Sequence, residues 1–406
     1  MVTAGESIFA SRSFRQYYIG QAFSYFGDGL RLLTIPLLVF YLTHRALGIG
    51  IAFILEVAPF AFFGPFAGAI ADRMDRRKLM ILCDFVRLCV LVCFAVLFFT
   101  HRLTVPMIYG GLVVLSIAAA FFMSGQAPSI PYLLGKDRTT EAVSVLVSAE
   151  SGSNLIGPMI GTTIMQIVGP LPALVINAFT YGVSQLSLFL VPTLGPDVIE
   201  GMPTIRELLS DVRDGFRFAL SDPAMRAMMV LSFFLNMAGF GGYSILIPFL
   251  KHSFAASDQQ IGIFFAFSAC GNIIGAVAAG KFATKWPFGR TVLWTLLIDG
   301  IIFIPFIYAT NFYIAAIFWS MASACAGFEV TLIIGWRLRI TPDQLVGRVT
   351  GVVRLVVLAG LVPGVLTLTL IADHISAHVA MTISAYSYLV MAIVGCAVPS
   401  IRRERR

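Results

Sequence analysis

Gly64-Pro65-Phe66-Ala67-Gly68-Ala69-Ile70-Ala71-Asp72-Arg73-Met74-Asp75-Arg76-Arg77-Lys78-Leu79 is the stretch whose reading decides the fold. Asp72, Arg73, Asp75, Arg76, Arg77 and Lys78 crowd into its second half, and an apolar run long enough to cross a bilayer lies on each side. An apolar helix needs about 20 residues to span the hydrocarbon, and charge inside that layer is costly. The stretch therefore reads as a tight basic turn between two spanning helices, held on the cytoplasmic side by its cations.

The rest of the 406-residue chain has the same character, 58% hydrophobic and 12% charged, with mean hydropathy +0.89. A soluble domain carries about 25% charged residues, so the apolar excess must face lipid. The net charge of +7 does not indicate a nucleic-acid partner, because the cations gather in alternate loops rather than on one binding face. Cys83, Cys89, Cys93, Cys270, Cys325 and Cys396 all lie in apolar runs and read as small core residues, not a disulfide or metal framework. No metal, cofactor or cleavable leader is expected.

Outward from the turn, hydropathy divides the chain into twelve spans near residues 17–43, 48–71, 79–100, 105–126, 142–168, 171–191, 225–250, 261–282, 291–309, 312–336, 349–372 and 377–401. Residues 127–141 read as an internal loop. Residues 193–222 form the one long polar connection, so the expected organisation is a six-helix half at 1–192, a linker at 193–222 and a second six-helix half at 223–406. In the linker Thr204-Ile205-Arg206-Glu207 reads as a capping box, followed by apolar residues at helical spacing. That helix either lies along the inner membrane surface or packs on the bundle as a connector. Alternation of the spans puts 22 Lys or Arg in inner loops or at inner span ends and three outside (Arg45, Arg102 and Lys251), with Arg31, Arg87 and Arg354 deeper within spans. Both termini are thus expected in the cytoplasm, in a multi-pass inner-membrane protein.

Ionisable groups within spans mark substrate or ion pathways. Asp28 and Arg31 are three residues apart on one helix face, and Glu56 in the next span falls at a similar depth. These three read as a proton-titratable cluster, with a static ion network as the plainer alternative. Glu150 and Asn154, one turn apart, form a second candidate pair. Asn236 and Glu329 complete the expected substrate- and proton-binding set, whereas Asp299, Asn177 and Asn272 read as interhelix contacts, and Asp84 and Arg87 as partners of each other. At Asp373-His374 and His378 a break in the helix reads better than a metal site.

The pattern Gly-x-x-x-Asp-Arg-x-x-Arg-Arg, starting at Gly68, resembles the loop between helices two and three of the major facilitator superfamily. Phe216-Arg217-Phe218-Ala219-Leu220-Ser221-Asp222-Pro223 and Ile340-Thr341-Pro342-Asp343-Gln344-Leu345-Val346-Gly347-Arg348-Val349 are similar to its macrolide-efflux and enterobactin-exporter branch. The resemblance implies an all-α membrane protein of twelve transmembrane helices in two pseudo-symmetric halves, a fold whose halves rock about a midplane site. It also implies gating by Gly68, Asp72, Arg73, Arg76 and Arg77 against Gly347, Arg348 and Arg354. Gly157, Pro158 and Gly161 resemble the fifth-helix motif of antiporters, although small residues and proline also serve ordinary helix packing. The basic residue that drug–proton antiporters often carry in the fourth helix is absent here.

The resulting expectation is a monomeric, proton-coupled exporter of a bulky amphipathic solute, drug or siderophore-like, working by alternating access. A facilitator or importer of a small metabolite, or a lipid flippase, is the alternative on the same fold. An enzyme is disfavoured: the chain has no Gly-x-Ser-x-Gly or His-Glu-x-x-His pattern, and no Gly-x-x-x-x-Gly-Lys followed by Ser or Thr, since Phe282 follows Gly280-Lys281.

Overall fold

The computed structural model describes residues 7–71, 74–135, 138–192, 194, 205–282, 286–342, 345–402 and 404. Among them every regular element is helical. A 3-10 turn at Ile8–Ala10 precedes α1 (Arg12–Thr43), α2 (Ala46–Ala71), α3 (Arg76–Phe99), α4 (Val105–Leu134), α5 (Thr139–Val168), α6 (Pro170–Leu190) and α7 (Ile205–Ser221). The chain continues through α8 (Pro223–Ser244), α9 (Leu246–Phe254), α10 (Asp258–Phe282), α11 (Phe288–Ile307), α12 (Phe312–Ile340), α13 (Val346–His374), α14 (Ala377–Ala397) and α15 (Pro399–Arg402).

Eleven helices among the described residues are long and apolar enough to span a bilayer. The twelfth is α5, whose 30 residues are ample in length at 1.5 Å each. Its Ser, Gly, Asn and Glu residues interrupt its apolar stretch.

Helix boundaries depart from the sequence expectation at two places. The seventh span is broken: α8 ends at Ser244 and α9 starts at Leu246. Pro248 supplies the reason, since it has no N–H for the Ser244 carbonyl and its ring crowds that same carbonyl. Residues 127–134, expected in a loop, instead extend α4 to Leu134. There the Ser129 hydroxyl donates back to the Gly125 carbonyl at 2.6 Å, one turn earlier in the helix. At the other end of a span, Asp222 caps α8 by accepting from the amides of Ala224 and Met225 at 2.8 and 2.9 Å, ahead of Pro223 at the first helical position.

The chain forms two compact units, Met1–Thr43 with Leu55–Pro203, and His44–Ile54 with Thr204–Arg406. In the first, α1 packs against α5 and α6, and α3 against α4 and α6. In the second, α8 packs against α13 and α14, and α11 against α12 and α14. In order of spans, contacts 1–5, 1–6, 3–4 and 3–6 recur as 7–11, 7–12, 9–10 and 9–12, so each unit repeats the other's internal plan. Each has its own apolar core. Phe14, Tyr17, Met80, Phe122 and Leu188 meet in the first; Met225, Phe288, Leu296, Trp336 and Val352 meet in the second. Of the two placements open for the linker helix, the contacts favour a packed connector. α7 lies against α8 and α13 with Ala219 buried, and Phe216 and Phe218 reach the core of the second unit. Thr204 lies outside the described residues.

The first eleven residues of the α2 region belong to the second unit because Asp373, at the end of α13, caps α2. Its carboxylate accepts from the amides of Ala46 at 2.6 Å and Leu47 at 3.0 Å, where the partial positive charge of a helix start favours an anion.

Candidate functional site

In the first unit a charged cluster is assembled around α1. Asp28 lies sixteen residues into the 32-residue helix, about 24 Å along it at 1.5 Å per residue. The Arg31 guanidinium donates to Glu56 on α2 at 2.6 Å and to Asp28 at 3.3 Å. Arg31 is buried, while the Asp28 side chain is 37% exposed. Tyr181 on α6 donates its hydroxyl to Asp28 at 2.6 Å. Glu56 is itself held by α4: the Ser116 hydroxyl donates to the Glu56 carbonyl at 2.5 Å and accepts from the Phe60 amide at 2.9 Å, inserting into the α2 ladder.

The cluster extends along α3. Asp84 and Arg87 are both buried with their charged atoms 3.5 Å apart, and the Arg87 guanidinium lies over the rings of Phe122 at 4.3 Å and Tyr181 at 5.2 Å. Tyr181 thus bears on both ion groups, its ring against one and its hydroxyl against the other. Together, three carboxylates face two guanidiniums. The excess negative charge calls for a proton or another cation, given the cost of unpaired charge at this depth.

Close helix approach makes this geometry possible. A Cβ placed on Gly157 would lie 2.6 Å from the Gly29 carbonyl carbon and 2.7 Å from its Cα. α1 and α5 therefore touch backbone to backbone beside Asp28. Pro158 follows, leaving the Asn154 carbonyl without its helical donor, and Gly161 continues the contact against Leu30 and Thr34. Glu150 is half-buried and Asn154 exposed; no hydrogen bond joins them.

The second unit contains a cavity of about 460 Å³ with a different character. Asn236 of α8, Asn272 of α10, Asp299 of α11 and Glu329 of α12 line it. Asp299, read from the sequence as an interhelix contact, lines this space together with Glu329, and its Oδ1 has no hydrogen-bond partner. Among the described residues no group of His, Cys, Asp and Glu has metal-binding geometry.

Of the gating set, Asp72 and Arg73 lie outside the described residues, and for Gly68, Gly347, Arg348 and Arg354 only the helical backbone is described. Arg76 lies over the Tyr132 ring at 5.5 Å. Arg77 donates to the carbonyls of Leu188 at 2.9 Å and Phe189 at 2.7 Å, neutralising the negative end of α6 within its own unit. Asp75 caps α3 by accepting from the Arg77 amide at 2.9 Å.

Sequence reasoning missed Tyr181, Ser116 and Asp373. Tyr181 and Asp28 are 153 positions apart, and a tyrosine in an apolar run carries no mark of its partner. Asp373 had a visible signal, an acid at a helix end, but nothing in its spacing names the helix it caps.

Comparison with known proteins places this arrangement. The solved structure of a bacterial homologue of the human lysosomal transporter Spinster is similar, with TM-score 0.75 and 14% identity over 99% of both chains. A bacterial homologue of the iron transporter ferroportin also gives TM-score 0.75 at 14% identity, over 95% of this chain and 98% of that one. For the nucleoside transporter NupG the values are 0.74 and 15%, over 95% and 99%. At these identities the likeness is one of fold. In sequence the chain is 24% identical over 364 residues to the enterobactin exporter EntS of Escherichia coli O139:H28, and equally to that of Escherichia fergusonii, covering 84% of this chain and 80% of each relative. Residues 3–405 match the family described as transmembrane secretion effector. A match along nearly the whole length settles the family and, with it, a multi-pass membrane transporter rather than an enzyme: the chain belongs to the transmembrane secretion effector family of the major facilitator superfamily.

Proposed function

We propose that this transporter is a proton-coupled exporter of a bulky amphipathic solute, working by alternating access as a monomer with both termini in the cytoplasm. The observation that carries the reading is the sharing of Arg31 between Glu56 and a partly exposed Asp28. A proton arriving at Asp28 removes one of the two anions holding Arg31, and the guanidinium is then left to Glu56. Coupling requires a contact that differs in strength between two states, and this one changes with a single proton. Export as the direction is supported by the enterobactin exporters among the relatives. The arginine-rich turn that begins at Asp72 serves in this reading as an inner latch against the start of α13.

The test is proton movement in everted vesicles acidified inside by respiration, on adding macrolides, catecholates, cationic dyes or lysolipids. Release of protons on addition of one class, lost in Asp28→Asn with the protein still present in the membrane, is the expected result. Transport of a solute with no proton movement in the wild type would replace antiport with facilitation.

A further inference from the structure

The cavity of the second unit brings two buried acids together without a cation among the described residues that line it. Asp299 and Glu329 are 1% and 6% exposed, and Asp299 Oδ1 and Glu329 Oε1 are buried without a hydrogen-bond partner. Among the described residues no Lys, Arg or His lines the cavity. This contrasts with the first unit, where Arg31 and Arg87 stand against the acids.

The neighbouring polar groups turn their donors elsewhere. Asn236 donates to the Ser232 carbonyl at 2.7 Å, and Asn272 to that of Ser323 at 3.5 Å. Trp319 donates its indole N–H to the Ser268 hydroxyl at 3.1 Å, and Ser384 its hydroxyl to the Ala238 carbonyl at 2.9 Å. An occupant meets the two carboxylates, the hydroxyls of Tyr388 and Ser232, and aromatic surface. Phe303 stacks on Tyr388 with centroids 5.1 Å apart, and meets Trp319 edge-on at 5.6 Å.

An unpaired buried carboxylate is costly in a membrane protein, and aromatic faces attract cations. The geometry points to a binding site for the protonated amine of an amphipathic organic cation. Its N–H groups lie toward Asp299 and Glu329, and its apolar body lies against Phe303, Trp319 and Tyr388. A volume of about 460 Å³ is in the range of small-molecule sites. Anionic solutes are repelled by the same pair. The inference deepens the export reading by naming the head group of the solute, and rests on it only for the statement that the amine is moved. Binding without any gradient is independent of proton coupling.

The experiment uses the purified full chain in nanodiscs and three probes of one shape: 4-phenylbenzylammonium, neutral biphenyl-4-methanol and anionic biphenyl-4-carboxylate. Equilibrium titration is expected to show the ammonium binding at least about ten-fold tighter than either analogue, a difference typical of one charged contact. Glu329→Gln and Asp299→Asn each reduce that preference about ten-fold while affinity for the alcohol stays within about two-fold, which also shows that the fold is intact. Should either variant not fold, Asn272→Lys, which puts a cation on the cavity wall, is expected to abolish ammonium preference. Equal affinity for ammonium and alcohol in the wild type would overturn the assignment, as would a preference unchanged in Glu329→Gln. Failure of the proton-release assay in vesicles, with these binding results intact, would count against coupling and not against the site.

Discussion

Tyr181 is the residue on which the two ion groups of the first unit converge, its hydroxyl on Asp28 and its ring beneath Arg87. Replacing it by phenylalanine keeps the ring and removes only the hydroxyl, so Tyr181→Phe isolates one charge-assisted hydrogen bond. Such a bond contributes about 1.5–3 kcal/mol, and its loss leaves Asp28 to Arg31 and water. Solute-driven proton release is expected to slow by about ten-fold or more, and thermal stability to fall by no more than that one bond contributes, because the ring remains. Measured rates equal to wild type would mean that the hydroxyl only holds α6 in place. The sequence made Asp28, Arg31 and Glu56 visible as a set because helical spacing and depth can be counted along a single span. It could not show Tyr181 or the cavity-facing direction of Asp299, because those depend on which helices pack together and how each is rotated about its axis.

Helix contacts follow the small residues. In α5, Gly157 sits where any Cβ would press on Gly29 backbone, whereas a Cβ on Gly152, in the same helix, meets nothing within 4 Å. This pair makes a controlled comparison. Backbone cannot move aside as a flexible side chain can, so Gly157→Ala is expected to cost about 1–3 kcal/mol by overpacking. Gly152→Ala is expected to be neutral or to stabilise by up to about 1 kcal/mol, through helix propensity alone. Thermal unfolding in detergent distinguishes them, and equal midpoints would show that α1 and α5 separate without penalty. The importance of Gly157-Pro158 was legible as a motif, but its partner Gly29 was not. Boundaries were least legible where proline occurs: Pro248 ends α8 at Ser244, while α4 continues through Pro131. Local sequence alone does not separate those outcomes, since neighbouring helices and hydroxyl groups decide whether the freed backbone is satisfied.

Across the whole molecule the two units repeat a packing plan but not a chemistry. α13 meets α8 at Gly364 and Met237, as α5 meets α1 at Gly157 and Gly29, a correspondence that Pro363-Gly364 and Gly157-Pro158 make visible in sequence. The charges differ: guanidiniums accompany the acids of the first unit, whereas Asp299 and Glu329 have none among the described residues. A division of labour follows, with proton exchange in the first unit and recognition of the amine in the second. Asp28→Asn is then expected to leave 4-phenylbenzylammonium affinity within about two-fold while stopping solute-driven proton release. Glu329→Gln is expected to raise the half-saturating amine concentration about ten-fold and to recover proton release when amine is saturating. Together they should add, because neither removes a partner of the other. If saturating amine fails to restore proton release in Glu329→Gln, the second unit also carries the coupling proton. If Asp28→Asn weakens amine binding as strongly as Glu329→Gln does, the two units act on one shared ligand, and the assignment of separate roles is wrong.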